Sequence, residues 1–222
     1  MRTLIKPVLF AAACGLAAPA LADDTQYWQT VTVNVALPDG FKVQNETVFR
    51  SSDAKGFYEL ENNVMLGKKV SKVTTVWLGY TFDPQYNHGT FTRREHRFRQ
   101  QINFDGFAKA GKIKFSGRVR LEERWREGLA GTGWRLRPQL KASTPLTGKA
   151  TISVAAEPFF NLNNTGFQTK DGLDRIRTSV SVGVPLSKKV SMEFGYLNQH
   201  GFVSGAPDTD DHVLTLGLSA SF

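Results

Sequence analysis

Apolar and polar residues alternate along almost the whole chain after residue 22. In the first run Val31, Val33 and Val35 share one face, while Thr32 and Asn34 share the other. A period of two residues is that of a β-strand lying between an apolar and a polar medium. Eleven such runs follow one another to the end of the chain, which predicts an all-β fold.

Two kinds of connection join these runs. Short connections centred on residues 66, 106, 146 and 186 recur at a spacing of 40 residues. Short turns at one end, longer loops at the other and alternating faces are typical of bacterial outer-membrane barrels. The longer connections are expected at residues 83–92, 127–133, 163–172 and 201–211.

The pattern therefore predicts a transmembrane, antiparallel, up-and-down β-barrel of about 10 to 12 strands. Two chain ends in the periplasm would require an even number of strands, whereas we count eleven runs. Either the run Trp28 to Leu37 is an extra strand whose N-terminal segment passes through the lumen, or one run is misassigned.

The first 22 residues have the form of an export signal. Arg2 and Lys6 precede an apolar run over residues 8–21, and Ala20-Leu21-Ala22 resembles a signal-peptidase site. We expect residues 1–22 to be cleaved and residues 23–222 to form the barrel domain in the outer membrane of a Gram-negative cell. A lipoprotein site at Cys14 is the alternative, although Ala11-Ala12-Ala13 before it lacks the usual Leu.

Composition limits the class of protein further. With 41% hydrophobic and 22% charged residues, the 222-residue chain is too polar for a helical membrane bundle and too apolar for a disordered protein. No segment after residue 22 has the roughly 18 to 20 apolar residues of a spanning helix. The alternative to a membrane barrel is a soluble sandwich or lipocalin-like barrel, in which the apolar face would point inward.

Aromatic residues support the membrane alternative. Trp125 and Trp134 flank one long connection, where an interfacial girdle is expected. Tyr80 and Tyr196 lie near the ends of predicted strands that lead into other long connections. The terminal Phe222 closes an alternating strand and resembles the assembly signal of outer-membrane barrels. The expected partners are therefore outer-membrane lipid, lipopolysaccharide and, through Phe222, the barrel-assembly machinery.

The polar faces of the central strands are rich in arginine. Without the signal the chain carries 26 basic and 20 acidic residues, a net charge of +6. If the polar faces point inward, these side chains form a lumenal charge network. Its expected members are Arg97, Arg99, Arg118, Arg120, Glu122, Arg124, Arg135, Arg137, Glu157, Arg175, Arg177 and Glu193.

Pairing neighbouring runs about the predicted turns gives a first register for this network. It places Arg99, Arg118 and Lys141 in one row, and a slip of two residues would also be compatible with the sequence. Like charges directly opposite each other destabilise a sheet, so carboxylates must come from elsewhere. Glu157 is expected between Arg135 and Arg177, and the further acidic positions across the barrel are Glu46, Glu59 and Glu61.

Two interpretations of the lumen remain open. Arginine and glutamate side chains can fill a narrow barrel as a structural plug. Alternatively, the opposed charges leave a gap that favours small anions, as charged rings do in pores.

A lipid-modifying enzyme is a weaker third possibility. His96 with Glu123 on the neighbouring strand could form a catalytic pair, but neither run supplies a Ser, and an ion pair of Arg94 with Glu123 is a simpler use of the site. We therefore expect no catalysis. The chain also lacks a metal, phosphate-loop or dinucleotide motif, so no cofactor is expected, and arginines facing the lumen would not form a nucleic-acid surface.

Several segments of the chain together carry a family resemblance. They are Trp28, His96 to Gln101, Arg118 to Trp125, Trp134 to Pro138, Glu157 to Asn161 and Gly195 to Gln199. In these segments the chain resembles domain-of-unknown-function family 2490, whose members are similar to other outer-membrane barrels. The resemblance spans nearly the whole chain and implies location and fold, but it implies no activity.

Overall fold

The computed structural model describes residues 24–222, which form eleven β-strands and one short 3-10 turn at Pro38–Gly40. The predicted signal peptide, its cleavage site and Cys14 lie outside the described residues. Within the described part of the chain, no helix has the length and hydropathy needed to cross a bilayer. The strands are β1 Asp24–Ala36, β2 Phe41–Ser52, β3 Gly56–Lys69, β4 Thr74–Asn87, β5 Thr90–Ala110, β6 Ile113–Arg126, β7 Gly133–Pro145, β8 Thr151–Asn161, β9 Gly172–Pro185, β10 Val190–Gly201 and β11 Thr209–Ser221.

The strands close into one barrel in sequence order. Every consecutive pair is antiparallel, and β1 closes the barrel by pairing in parallel with β11, with Asp24 opposite Asp211 and Asn34 opposite Ser221. The all-β barrel and the strand count of 10 to 12 are confirmed. The requirement for an even number is wrong, because a parallel closure joins an odd number of strands.

This closure also decides the path of the N-terminal segment. Residues 24–36 lie in the wall between β2 and β11 rather than in the lumen. Because β1 and β11 run in the same direction, Asp24 and Phe222 lie at opposite ends of the barrel. The terminal residue is fixed there, since Phe222 donates a backbone hydrogen bond to Asn34 (2.9 Å) and accepts one from Ala36 (2.8 Å).

The connections differ between the two ends of the barrel. We call the end near Phe222 the short-turn end and the end near Asp24 the long-loop end. The predicted loop at 83–92 is wrong, because β4 and β5 continue as far as a two-residue turn at His88 and Gly89. His88 and Gly89 both have positive φ, which such a tight turn requires. The longer connections at the long-loop end are residues 127–132, 162–171 and 202–208.

The alternating faces divide the wall into an apolar exterior and a polar interior. Leu78, Leu140 and Leu214 are each more than half exposed on the outside, while Arg99 and Glu122 are fully buried inside. The barrel is thus the reverse of a soluble sandwich or lipocalin-like barrel, whose apolar residues would fill the interior. The polar interior is the feature that the candidate site is built from.

Candidate functional site: an arginine-rich lumen

The long-loop half of the lumen holds a dense group of charged side chains, which we call the lumenal cluster. It contains eleven arginines and seven carboxylates. The arginines are Arg50, Arg97, Arg99, Arg118, Arg120, Arg124, Arg126, Arg135, Arg137, Arg175 and Arg177, and the acids are Glu59, Glu61, Asp83, Glu95, Glu122, Glu157 and Asp174.

Ion pairs begin on β2 and β3. Arg50 binds Glu59 (2.6 Å) and Glu61 (3.2 Å) through its two terminal nitrogens. Glu61 also accepts hydrogen bonds from Arg97 (2.9 Å) and Arg99 (2.7 Å), which lie two strands away on β5. One buried carboxylate therefore joins three guanidinium groups, as satisfaction of buried charge requires.

Small residues on β4 allow this reach across a strand. Thr81 and Gly79 lie at the lumenal positions opposite Arg97 and Arg99, respectively. A side chain on Gly79 would collide with Met65 and with the backbone of Val64. The absence of bulk at these positions leaves β3 and β5 in direct contact through their long side chains.

The second shared carboxylate is Glu95, which is fully buried. It accepts hydrogen bonds from Arg97 (2.6 Å), Arg124 (2.9 Å) and Arg126. Asp83 on β4 binds Arg97 as well. Glu95 has the same strand parity as Arg97 and Arg99, so the alternation could have identified it, whereas Asp83 lies in the predicted loop at 83–92.

Glu122 is the centre of the cluster. It is fully buried and lies within 3.1 Å of Arg99, 2.6 Å of Arg135 and 2.9 Å of Arg137. In the sheet it stands between Arg99 on β5 and Arg135 on β7. Charges therefore alternate along this row.

The predicted register of β5 with β6 is wrong by four residues. It put Arg99 opposite Arg118, but β5 continues to Ala110 with a bulge after Phe104, so the turn lies at residues 111 and 112. Arg118 instead faces Asn103 on β5 and Gln139 on β7, and Lys141 faces Ser116. The observed register separates Arg99, Arg118 and Lys141, but it places Arg97 opposite Arg124 and Arg120 opposite Arg137.

Glu157 ends the series of ion pairs on β8. It binds Arg118 and Arg137 (3.1 Å) and lies opposite Arg177 in the sheet. The predicted contact with Arg135 is not made, because Arg135 is held by Glu122. Shared carboxylates thus connect β2 to β8 without interruption, and we call this part of the lumen the ion-pair wall.

Aromatic rings close the circle where the ion pairs stop. The guanidinium groups of Arg137 and Arg177 lie 4.2 Å and 4.7 Å from the ring centroid of buried Phe159. Arg177 also reaches across the lumen to Trp28 on β1 (4.6 Å), whose ring lies 4.3 Å from Arg50. Ion pairs and cation–π contacts therefore form a complete circle around the lumen at the level of Arg177 and Trp28.

The remaining interior, on β9, β10, β11 and β1, is built differently. Between Arg177 and the short-turn end, most inward positions of these four strands carry Ser, Thr or Gly. We call this part of the interior the small-residue wall. These positions include Ser179, Ser181, Gly183, Ser191, Thr215, Gly217, Ser219, Thr30 and Thr32. A cavity of about 320 Å³ lies against them toward the short-turn end.

Glu193 belongs to this second region and not to the lumenal cluster. Its side chain is half exposed and contacts Lys141 at 3.4 Å. Arg120 and Arg175 also differ from the ion-pair wall: Arg120 donates to Gln101 (2.6 Å), and Arg175 pairs with its partly exposed neighbour Asp174 (2.7 Å). Of the twelve sequence-predicted network residues, Glu193 alone lies outside the cluster.

Sequence reasoning also missed Trp28 and Tyr58 as lumenal residues. The Trp28 indole donates to Gln26 (2.9 Å) and to the hydroxyl of Tyr58 (3.0 Å). Tyr58 has the outward parity of β3, but a register shift between Arg50 and Ser51 turns it toward the barrel mouth. A bulge of this kind leaves no clear signal in an alternating sequence.

The proposed catalytic pair is absent from the outer rim. Glu123 accepts a hydrogen bond from Gln100 (3.2 Å), while His96 and Arg94 both contact Glu127 (3.3 Å and 2.9 Å). These hydrogen bonds lower the pKa of the Glu127 carboxyl below its usual range.

His96 also contacts the hydroxyl of Tyr80, and the same Tyr–His contact recurs between Tyr196 and His212. The Tyr–His contact thus occurs twice on the outer surface. Such repetition is typical of an aromatic girdle, whereas a reactive centre would be expected once.

One group of carboxylates among the described residues has the spacing of a metal site. Oxygens of Glu59, Glu61 and Asp83 lie within 4.8 Å of one another. Arg50 and Arg97 already bind these carboxylates. The guanidinium groups thus occupy the place that a cation would take.

The fold and the lumen define a closed eleven-stranded β-barrel with an apolar exterior and a buried Arg/Glu network in its interior. Residues 25–210 match the model of the family described as "Protein of unknown function (DUF2490)", and the chain belongs to that family. It is similar to an uncharacterised protein of Methylorubrum extorquens, at 29% identity over 95% of this chain and 96% of that protein. No solved structure matches the chain.

Proposed function

We propose that this protein is an outer-membrane β-barrel whose lumen is closed by the lumenal cluster. The observation that carries the proposal is the inverted distribution of side chains. Apolar residues such as Val64, Leu78 and Leu216 are about half exposed on the outside of every part of the wall. In water, so large an apolar surface would drive association, whereas a bilayer would cover it.

The rim of the barrel supports the same location. Trp125, Tyr80 and Tyr196 are exposed on the outer face. Aromatic side chains of this kind are favoured at the level of the lipid headgroups. The polar partners of such a rim would be lipopolysaccharide and phospholipid headgroups, and Phe222, exposed at the end of the last strand, would be recognised by the assembly machinery.

Closure of the lumen is supported by the circle of contacts around it. Shared carboxylates connect β2 to β8, and Arg177 extends from β9 to Trp28 on β1. A side chain that spans the small-residue wall in this way blocks the remaining path. The protein would then act as a stable, non-catalytic surface barrel rather than as a pore.

A small anion-preferring channel is the second candidate. It is favoured by the excess of arginine over carboxylate in the cluster, whereas the charged residues that line the cavity along the small-residue wall are Glu46 and Glu193. If thermal motion moves Arg177 away from Trp28, the lumen at the level of the cluster would still be lined by arginine and would admit anions.

Two measurements test these proposals. Fractionation of cells should recover the protein, starting at Asp23, in the outer membrane, with a mobility shift between unboiled and boiled samples. Recovery as a soluble periplasmic monomer would contradict the membrane proposal. In planar bilayers the closed barrel should conduct almost nothing, while anion-preferring current would favour the channel and cation preference would contradict both.

A further inference from the structure

A small void inside the lumen is lined mostly by arginine. Its volume is about 110 Å³, and it lies toward the long-loop end of the barrel. Eight arginines line it, among them Arg135, Arg137, Arg175 and Arg177, but its acidic lining residues are Glu59 and Glu61 alone. The void therefore has a strongly positive surface.

The carboxylates of the surrounding cluster do not balance this charge. Eleven arginines face seven carboxylates in the cluster, and the cavity next to it adds Lys55, Asp24 and Asp211, which leaves three positive charges in excess. Arg177 shows the deficit most clearly: it donates to Gln199 (2.8 Å), and no carboxylate among the described residues lies within 4.0 Å of it. An unpaired charge taken out of water is costly, so such an excess calls for a counter-ion.

Phe159 gathers the charges without neutralising them. The guanidinium groups of Arg137, Arg177, Arg135 and Arg175 lie 4.2, 4.7, 5.3 and 5.8 Å from the centre of its buried ring. A ring attracts cations through its quadrupole but carries no net charge. Four guanidinium groups therefore lie around one uncharged ring; Arg135, Arg137 and Arg175 also have a carboxylate partner, whereas Arg177 has none within 4.0 Å among the described residues.

Two buried donor atoms at the void are also unused. The Nε atoms of Arg50 and Arg137 have no hydrogen-bond partner in the described chain. Both residues line the void. Buried donors in native proteins are nearly always satisfied, so these two Nε atoms are donors for a water or an anion in the void; the Nε atoms of Arg94, Arg99 and Arg118, which do not line the void, have no hydrogen-bond partner in the described chain as well.

We propose that the void binds a small oxyanion of the phosphate class. Guanidinium groups bind phosphate oxygens with two parallel hydrogen bonds, and several arginines around one site select for more than one negative charge. A water molecule occupies about 30 Å³, so the void has room for a tetrahedral oxyanion but not for a larger organic group.

The neighbouring cavity defines how such an anion enters. A space of about 340 Å³ adjoins the void, shares Arg50, Glu59, Arg175 and Arg177 with it, and is bordered by Lys55 and Tyr58 near the long-loop end. A phosphate monoester could place its phosphate in the void and its organic part in this space. This inference depends on the lumenal charges alone, so it stands or fails separately from the membrane location and from conductance.

Binding can be measured on the folded mature barrel in a neutral sugar detergent, without phospholipid or lipopolysaccharide. Calorimetric titration with inorganic phosphate in chloride buffer at constant ionic strength should give saturable binding with a Kd tighter than about 1 mM. Phosphate should also raise the temperature of unfolding above that in chloride. No saturable binding and no thermal shift in wild type would overturn the proposal without reference to any variant.

Variants locate the site. The double substitution Arg175→Gln and Arg177→Gln should weaken phosphate binding by at least about tenfold. Lys141→Gln, which removes one lumenal charge away from the void, should leave the Kd unchanged. Equal binding by the double variant would mean that phosphate binds elsewhere. If the double variant does not fold, Arg175→Lys with Arg177→Lys keeps the charge, removes the planar forks and should still weaken binding.

The same titration separates two sources of the anion. Glycerol 3-phosphate represents a soluble monoester, and a short-chain phosphatidic acid represents a lipid headgroup. We expect glycerol 3-phosphate to bind and to compete with inorganic phosphate for the same site. The void and the adjoining cavity of about 340 Å³ together have room for its phosphate and its glycerol group. Binding of the lipid alone would overturn the assignment of a soluble anion.

Discussion

The ion-pair wall and the small-residue wall face each other across one lumen and solve the problem of a polar interior in opposite ways. On the ion-pair wall, long side chains fill the space, and each of Glu61, Glu95 and Glu122 binds at least three arginines. On the small-residue wall, short hydroxyl side chains and glycines leave a cavity of about 320 Å³. Charge is buried where it can be shared, and space is left where little charge is present.

The difference teaches where the barrel should resist substitution. A shared buried carboxylate cannot be removed without leaving several cations together, whereas an exposed charge in an open cavity is solvated already. The substitutions below are designed to break this contrast or to measure it more sharply.

The largest effect is expected for Glu122→Gln. The amide would leave Arg99, Arg135 and Arg137 without their common counter-charge, which should lower the free energy of unfolding by about 3–5 kcal/mol. Urea titration of the barrel folded into lipid vesicles measures this change. The matched control is Glu193→Gln on the opposite wall, which should have a stability close to that of wild type, and equal losses would show that the two walls are not energetically distinct.

A second contrast compares the outside of β11 with its inside. Leu216→Arg puts a charge on the apolar exterior and should cost about 2–4 kcal/mol if that position lies near the middle of the bilayer. Thr215→Arg points into the accessible part of the lumen and should cost less. The same vesicle titration compares them, and similar costs would mean that the exterior of β11 does not face lipid.

Glu157→Gln should have an intermediate effect. It removes a partner from Arg137 and from Arg118, but Arg118 is partly exposed and can be solvated. We expect a loss of about 1–3 kcal/mol. If the lumen proves to be open, the substitution should instead increase anion preference in bilayer recordings with little loss of stability, so recordings and titration together distinguish plug from channel.

The smallest effect on stability is expected for Arg177→Ala. No carboxylate among the described residues binds this side chain, so its removal should change the free energy of unfolding by no more than about 1 kcal/mol. Its removal should nevertheless open a path between the cavity of about 340 Å³ near the long-loop end and the cavity of about 320 Å³ on the small-residue wall, and so produce measurable conductance. If the variant conducts no more than wild type, Arg177 does not block the path along the small-residue wall. Ser181→Ala, on the same strand, is the control.

Some of the architecture could be predicted from the chain alone because strand parity is a local property. Val31 and Thr32 must point to opposite sides of any strand that contains both, so alternation predicted the two faces and the inward position of Arg97, Arg99 and Glu122. The same regularity predicted an up-and-down order of eleven runs. Closure by a parallel pair could not be predicted, because neither β1 nor β11 carries a local signal for its partner.

Tertiary structure decided every property that depends on strand register or on contacts between side chains of non-neighbouring strands. A bulge after Phe104 moves Glu122 beside Arg99, and small residues on β4 let β5 contact β3. Partners such as Glu61 and Arg97 are 36 residues apart in the chain, and their contact exists only once the sheet has curved into a closed wall. The sequence by itself determined most of the side chains that enter the lumen, because inward position follows from a two-residue period; Tyr58, which a bulge turns inward, is the exception. Which of them share a charge, and where arginine is left without a carboxylate, was decided by closure of the barrel, because ion pairing depends on distance across the interior.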